Sequence, residues 1–522
     1  MFSVSGVGGM CAVSANGPVG RQNALPRSVV SPALQAGVPA QVRQKVVPVL
    51  AQGRSPVLVE LDLTRDVRTE DTRERFLALY AHTITQDDRP DPLPIADSYV
   101  SCVLSPEEIE LLLTADHGGE KGRAPTIFRV WPDYTMHAHI DRSVSTIKSD
   151  AAVRSYAATG EGVTWAVLDS GIDGGHPHFA GGTLGGEVDR LHRDFTHLVP
   201  PASPEQADPK SPLIDPDGHG THVAGIIAGA LPDGTEPVIG CQQTTLSGLP
   251  QWTQRRLEPG RRLAAMAPRA KLVSLKTLAP RDPDGLLVTS SSAVIEALYY
   301  VRETVNSGGR LLLIHGVNMS FGCPWDPRDY ACGQSPLCRE VGLLAATGVV
   351  VVVSAGNGGY AGELDPMEGS SGARAVLATI TDPGNADGAI TVGSTHRDSP
   401  HVFGVTYSSS KGPTLDGRLK PDLLAPGERI TSCAAGSFRG ALAELIPAGS
   451  DSHAAYIEES GTSMAAAHVS GAIAAFLSTR PEYIGMPRQV KELFCTNATS
   501  LGRDRFLEGH GLIDVMRVLS NV

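Results

Sequence analysis

A serine near the end of the chain begins a helix of small residues. Residues 459–471 read ESGTSMAAAHVSG, and Ser463 follows a glycine and a threonine. At such a helix start the hydroxyl is exposed, and the first backbone N–H groups have no helical partner, so they stabilise a nearby negative charge. Acyl transfer needs an oxygen nucleophile beside such donors. Taken alone, Ser463 fits a structural role equally well, because serine is a favoured capping residue.

Three further segments carry side chains suited to the same chemistry. Asp169 ends an apolar run that predicts a strand, although Asp173 competes with it and an ordinary loop aspartate is the simpler interpretation. His219 lies between two glycines in DGHGTHVAG, where an imidazole has room to transfer protons near neutral pH. Asn357, in SAGNGG, carries an amide that can donate to an oxyanion, but Asn-Gly also marks ordinary turns.

The four residues occur in the order Asp169, His219, Asn357, Ser463. That is the Asp-His-Ser order of subtilisin, and it differs from the orders of chymotrypsin and the α/β-hydrolases. With these motifs the chain resembles the subtilisin-like serine proteases, the subtilases, over residues 164–518. The resemblance implies that Ser463 is the nucleophile, His219 the general base, Asp169 the residue that orients the imidazole, and Asn357 an oxyanion donor.

The resemblance also bears on substrate and metal binding. Ser320, Phe321 and Gly322 resemble the family strand that pairs with the substrate backbone, although on the residues alone they are an ordinary strand end. Most relatives have proline where this chain has Ala467, and the usual calcium-loop sequence is not recognisable in residues 231–254. We therefore expect no cofactor in the chemistry, and structural calcium, which is possible in this family, is not supported by the sequence.

The elements that must position these residues read as an α/β domain. Apolar runs alternate with helical stretches, which predicts a mainly parallel sheet flanked by helices. In such sheets functional groups gather beyond the carboxyl ends of the strands, where Asp169 and Asn357 are predicted to lie. The predicted strands are 163–168, 272–278, 311–319 and 349–354, and the predicted helices are 222–230, 291–305 and 335–346.

A smaller unit precedes this domain. Strand and helix patterns alternate as β-α-β-α-β, with strands at 57–63, 98–104 and 127–131 and helices at 69–82 and from Ser105-Pro106-Glu107-Glu108 onward, which predicts a small α+β, ferredoxin-like domain. It resembles the subtilase propeptide, an intramolecular chaperone and inhibitor whose tail enters the active site; an unrelated accessory domain is the alternative. We predict self-cleavage between about Asp133 and Arg142.

The predicted organisation is a flexible leader (1–55), a propeptide-like domain (56–135), a connector (136–152) and a subtilisin-like catalytic domain (153–522). The net charge of −12 argues against a general nucleic-acid binder, and no apolar run is long enough for a membrane span. Three of the eight cysteines, Cys323, Cys332 and Cys338, lie close together without zinc-ligand spacing. A disulfide-tied loop or free thiols fit them better than a metal site.

The sequence thus predicts a serine endopeptidase that is made as a zymogen and acts on protein or peptide substrates. One alternative is a catalytically silent, subtilase-like peptide-binding protein. Another is a metal-dependent hydrolase that uses His219 and His222, but the pair lacks the i, i+4 spacing and the glutamate of the zinc-hydrolase helix. Secretion is typical of the family, yet no clear signal peptide is visible, so the location stays open.

Overall fold

The computed structural model of the chain describes most of its length. The described residues are 29–31, 34–35, 50, 53–63, 69–84, 89–95, 97–117, 125–132, 135–138, 145–199, 210–244, 250–257, 263–280, 287–307, 311–361, 374–446 and 454–522. Two units follow one another, a small antiparallel sheet with two helices and a larger domain built on a parallel sheet.

The N-terminal domain has the element order β-α-β-β-α-β. Its four strands form an antiparallel sheet in the order β2-β3-β1-β4, which is the ferredoxin-like arrangement that the sequence predicts. Apolar residues of both helices pack on this sheet and close its core. The elements are β1 (Ser55–Leu61), α1 (Thr69–Thr83), β2 (Leu93–Ile95), β3 (Tyr99–Leu104), α2 (Pro106–His117) and β4 (Ile127–Pro132).

Part of the segment predicted as a flexible leader packs on this domain. Ser31 donates its backbone N–H to Val130 of β4, and Val130 donates its own to Val29. Leu34 is buried in the same core as the two helices. Residues 29–31 therefore cover part of the β4 edge of the sheet, an edge that would otherwise offer unpaired backbone groups.

The remaining elements belong to the larger domain, except that β5 comes from the connector. The strands are β5 (Thr135–Ala138), β6 (Thr164–Asp169), β7 (Arg193–Asp194), β8 (Pro237–Thr244), β9 (Pro250–Arg255), β10 (Lys271–Lys276), β11 (Ala279–Pro280), β12 (Leu287–Ser290), β13 (Gly316–Met319), β14 (Phe321–Gly322), β15 (Val350–Ser354), β16 (Tyr360–Ala361), β17 (Arg374–Ala375), β18 (Ala389–His396), β19 (Leu423–Glu428), β20 (Ile430–Cys433) and β21 (Ala454–Glu459). The helices are α3 (Ser149–Tyr156), α4 (His219–Ile227), α5 (Ser291–Tyr299, continued by a π-helical turn, Tyr300–Val305), α6 (Pro336–Ala346), α7 (Pro400–Phe403), α8 (Gly436–Gly440), α9 (Thr462–Thr479), α10 (Pro487–Thr496), α11 (Arg505–Glu508) and α12 (Val515–Ser520).

Seven parallel strands form the central sheet, in the order β19-β18-β15-β13-β6-β10-β7. Apolar residues cover both of its faces and form two separate cores. Strands buried on both faces read as continuous apolar runs, which is why β6, β10, β13 and β15 coincide with predicted strands. The mainly parallel sheet flanked by helices is confirmed.

Two segments that lie far apart in the chain meet in a second sheet. The hairpin β8–β9 follows α4, and the strands β20 and β21 flank α8, about two hundred residues later. Strand β21 pairs in parallel with β8, so the order is β20-β21-β8-β9. A small apolar core, here called the accessory core, packs on this sheet; its buried members are Ala434, Leu442, Ala455 and Ile457.

Candidate active site

A buried ion pair stands at the carboxyl end of the central sheet. Asp169 is the last residue of β6, and its Oδ1 lies 2.7 Å from Nδ1 of His219, the first residue of α4. Both side chains are almost fully buried, with 1% and 0% exposure. At this distance the Nδ1–H donates to the carboxylate, which fixes the tautomer and leaves Nε2 as the basic nitrogen.

The close approach of α4 to β6 depends on a glycine. A Cβ at Gly220 would lie 2.1 Å from the carbonyl oxygen of Gly171 and 3.0 Å from Cβ of Asp169. A side chain larger than hydrogen does not fit at position 220. The glycine after His219 therefore allows the start of α4 to pack against Asp169. This explains why the histidine occurs between glycines in the sequence.

A second carboxylate, Asp215, organises the start of α4. It accepts hydrogen bonds from the backbone N–H of Gly218 and from both the N–H and the hydroxyl of Thr221. It also accepts from the hydroxyl of Ser170, which in turn accepts from the N–H of Gly220. Burial raises the pKa of Asp215, while these donors lower it. Sequence reasoning missed Asp215, because it lies three residues before Gly218, the N-cap of α4, and forms no recognisable capping motif.

Ser463 is hydrogen-bonded to the residue that follows the neighbouring strand β13. It is the second residue of α9, and its Oγ donates to the carbonyl oxygen of Ser320 at 2.9 Å, while the Ser320 hydroxyl donates back to the Ser463 carbonyl at 3.0 Å. Ser320 directly follows β13, whose Met319 is aligned with Leu168 of the neighbouring strand β6. Ser320 is therefore next to Asp169 in register, about one strand spacing, roughly 5 Å, away.

The Ser320 hydroxyl is held in turn by the core. Asn318 donates from Nδ2 to it at 2.9 Å, and Ser470, two turns along α9, donates to Oδ1 of Asn318 at 2.8 Å. All of these side chains are buried. The polar chain joins β13 to α9 and fixes how far Ser463 stands from the sheet.

Asn357 lies in the loop after β15 and faces the start of α9. Its Oδ1 accepts from the backbone N–H and from the hydroxyl of Thr462, both at 3.1 Å. The Thr462 hydroxyl accepts from the N–H of Gly356. Because the oxygen of the amide accepts from Thr462, the NH₂ group is the donor end of this side chain.

The predicted substrate strand has a neighbour from the connector. Phe321 and Gly322 form β14, in which Phe321 is aligned antiparallel with Ala138 and Gly322 with His137 of β5. On its other side β5 pairs antiparallel with β12. A segment N-terminal to the larger domain thus occupies the slot between two strands, with main-chain pairing on both sides.

The other candidate residues lie apart from this centre or serve the scaffold. His222 has its Nε2 3.2 Å from each of the carbonyl oxygens of Ile430 and Ile457, contacts that fit a structural role. Asp173 bonds to the backbone N–H of Gly175 and is not part of the ion pair.

Metal and thiol chemistry find little support in the described part of the chain. Within it, no group of three or more His, Cys, Asp and Glu side chains is placed to hold a metal ion. Residues 231–254, in which the usual calcium-loop sequence is not recognisable, contain strand β8 and most of strand β9, which form a hairpin. The seven described cysteines are buried free thiols, and Cys11 lies outside the described residues.

Among the residues that the structure covers, no helix combines the length and apolar character that crossing a bilayer requires.

Comparison with known proteins agrees with this arrangement. The profile of the subtilase family matches residues 160–512. The serine protease AprX of Bacillus subtilis is 29% identical over 383 residues, which cover 72% of this chain and 70% of AprX. Subtilisin E of the same organism is 28% identical over 76% of each chain, and Mycosin-3 of Mycobacterium tuberculosis is 27% identical over 69% of this chain and 68% of its own. The chain belongs to the subtilase family of serine-type endopeptidases.

Proposed function

We propose that the chain hydrolyses peptide bonds through a covalent acyl-enzyme on Ser463. The proposal depends on one arrangement: Asp169 pairs with His219, and the strand position next to Asp169 is that of Ser320. The carbonyl oxygen of Ser320 accepts a hydrogen bond from the Ser463 hydroxyl. In the resting arrangement that hydroxyl donates to a carbonyl. Rotation about χ1 would direct it to His219 Nε2, the nitrogen that the Asp169 contact leaves basic.

The proposed sequence of steps uses these groups in turn. Ser463 Oγ attacks the scissile carbonyl carbon as its proton passes to His219, whose imidazolium form Asp169 stabilises. The Asn357 amide and the Ser463 backbone N–H donate to the oxyanion that forms. His219 then gives its proton to the leaving amine, and a water molecule, deprotonated by His219, hydrolyses the ester. Subtilases need no cofactor for this chemistry.

We further propose that the N-terminal domain acts as an intramolecular inhibitor of the same site. Strand β5 lies where an extended substrate would add to β14, and it pairs through main-chain groups, as substrates do in strand addition. Its last described residue, Ala138, is aligned with Phe321, one position from Ser320. The next position of this register lies opposite Ser320, whose carbonyl accepts from Ser463, and we therefore infer that the self-cleaved bond lies within residues 138–142. Residues 133–134 and 139–142 of the predicted window lie outside the described part of the chain.

The test compares the wild type with Ser463→Ala, by intact mass and by hydrolysis of a peptide library. Wild type is expected to give two fragments that divide at 138–142 and to cleave the library, whereas the variant stays full length and inactive. A silent peptide-binding protein would leave both proteins whole and the library intact. Undiminished turnover by the variant would contradict the assignment of Ser463, and loss of wild-type activity in chelator would favour the metal-dependent alternative.

A further inference from the structure

A buried lysine lies beside the loop that carries Asn357. Lys411 is 3% exposed, and its Nζ donates to three main-chain carbonyl oxygens, those of Gly359 at 2.9 Å, Tyr407 at 2.9 Å and Ser409 at 2.8 Å. Among the described residues no carboxylate lies within ion-pair distance of this ammonium. A buried charge with carbonyl partners alone is costly, and burial lowers the pKa of Lys411. Such a group calls for an explanation beyond packing.

One of the three carbonyl contacts, the one to Gly359, is part of a clamp on residues 356–359, while the other two tie the ammonium to its own segment. Ser410 donates its N–H to the carbonyl of Gly356 at 2.8 Å and accepts from the N–H of Gly358 at 3.1 Å. Gly359 donates its N–H to Ser408 at 2.9 Å. These three hydrogen bonds join the Asn357 loop to residues 408–411, which we call the clamp segment.

The clamp segment approaches so closely that position 359 must be glycine. A Cβ there would lie 1.8 Å from the carbonyl oxygen of Ser409 and 2.3 Å from Nζ of Lys411. Asn357 is thus held on two sides, with its side-chain oxygen bound by Thr462 and its main-chain neighbours bound by the clamp segment.

We propose that Lys411 is a positioning residue of the oxyanion hole, whose ammonium fixes Gly359 and thereby aims the Asn357 amide at the substrate carbonyl. The inference rests on the proposed function, because it takes that amide as an oxyanion donor. A positive charge so close to the loop also favours the negative charge that develops in the transition state. Hydrogen-bond donors work in catalysis only when they are held in place before the reaction begins.

The chain offers a matched control for a buried ammonium. Lys420 is also buried, and its Nζ donates to the Ala389 carbonyl, the Thr391 hydroxyl and the Asp422 carboxylate, which lie at β18 and β19 and not at the Asn357 loop. If a buried lysine matters only for stability, Lys411→Met and Lys420→Met should behave alike. A positioning role predicts that they differ in turnover.

The experiment is a double-mutant cycle on enzyme prepared from the full chain. We expect Lys411→Met to lower kcat about tenfold, less than the loss of a whole oxyanion donor, with KM little changed. Asn357→Ala should lower kcat on the order of 10²–10³, a range that comes from subtilisin itself. The double variant should match Asn357→Ala within about twofold, because the lysine acts through the amide. Lys420→Met should lower the thermal midpoint and leave kcat unchanged.

The possible results separate the two ideas. The inference about Lys411 fails if Asn357→Ala is impaired but Lys411→Met has normal turnover, or if the two losses in kcat add fully. Lys411 would then have only a structural role, and the proposed function would still stand. If Asn357→Ala keeps full turnover, the proposed oxyanion role falls first. Should Lys411→Met fail to fold, Lys411→Gln takes its place in the cycle, since it removes the ammonium but keeps a polar side chain at this buried position. Additivity of that variant with Asn357→Ala would likewise overturn the inference.

Discussion

An interdomain ion pair offers a direct test of the proposed inhibition. Arg339, on α6 of the catalytic domain, donates from two guanidinium nitrogens to the two carboxylate oxygens of Glu60 on β1, at 2.6 and 2.8 Å. Trp131 of β4 donates its indole N–H to the same carboxylate at 2.8 Å, and its ring packs edge-on against Tyr330, with centroids 5.3 Å apart. The contact therefore joins two strands of the N-terminal domain to the catalytic domain.

The magnitude follows from burial. Truncating one member of a buried, hydrogen-bonded charge pair costs roughly 2–5 kcal/mol, while exposed pairs contribute about 0–1 kcal/mol. The Glu60 side chain is 8% exposed and that of Arg339 is 34% exposed, so the low end of the buried range applies. For Glu60→Gln we therefore expect a loss of about 2 kcal/mol in domain association, which is about thirtyfold in the dissociation constant.

The assay is dilution of the self-cleaved complex. Specific activity on a chromogenic peptide should rise as the domains separate, and the concentration at half-maximal activity should be about thirtyfold higher for Glu60→Gln than for wild type. Glu110→Gln, on the exposed face of α2, is the control and should follow the wild-type curve. A Glu60→Gln curve that superimposes on wild type would refute the reasoning about this ion pair. Activity that does not respond to dilution in any variant would refute inhibition by the dissociable domain.

Two further predictions concern the catalytic pair and acid stability. Asp169→Asn should keep the fold but lower kcat on the order of 10⁴, because the amide no longer holds His219 in the reactive tautomer; a loss below about tenfold in steady-state kinetics would contradict this role. Burial lowers the pKa of His178 from 6.5 to about 3. Between these two pH values the unfolded chain binds more protons than the folded chain. The free energy of unfolding therefore decreases as the pH falls from 6.5 toward 3. The loss is about 2 kcal/mol at pH 5, and His178→Gln should show a shallower fall of the thermal midpoint between pH 7 and 5; equal slopes would rule out this histidine as the cause.

The sequence predicts the centre of the fold well because the signals there are local. Strands β6, β10, β13 and β15 are buried on both faces and read as apolar runs. The outer strand β19 does not read as an uninterrupted apolar run, because it contains Pro426. A proline is tolerated there since β19 lies at the edge of the sheet. Strand β5 falls within the region predicted as a connector, because its partners β12 and β14 lie far along the chain.

The candidate site likewise contains residues that the sequence predicts and residues that it does not. Asp169, His219, Asn357 and Ser463 stand in glycine-rich segments whose spacing indicates chemistry, and their catalytic roles remain predictions. The residues that hold them in place, such as Lys411, carry no local pattern. Their contacts are made to distant main-chain carbonyls, and no periodicity or motif records such partners.

The parallel pairing of β8 with β21 ties together two segments that lie far apart in the polypeptide. Deleting either one would strip a partner from the other and leave a bare strand edge, which is a template for aggregation. Each of the two segments therefore depends on the other for one of its strand partners. A chimera that carries only one of the two segments on a subtilisin scaffold should aggregate and be poorly soluble. A chimera that carries both should form the complete four-stranded sheet.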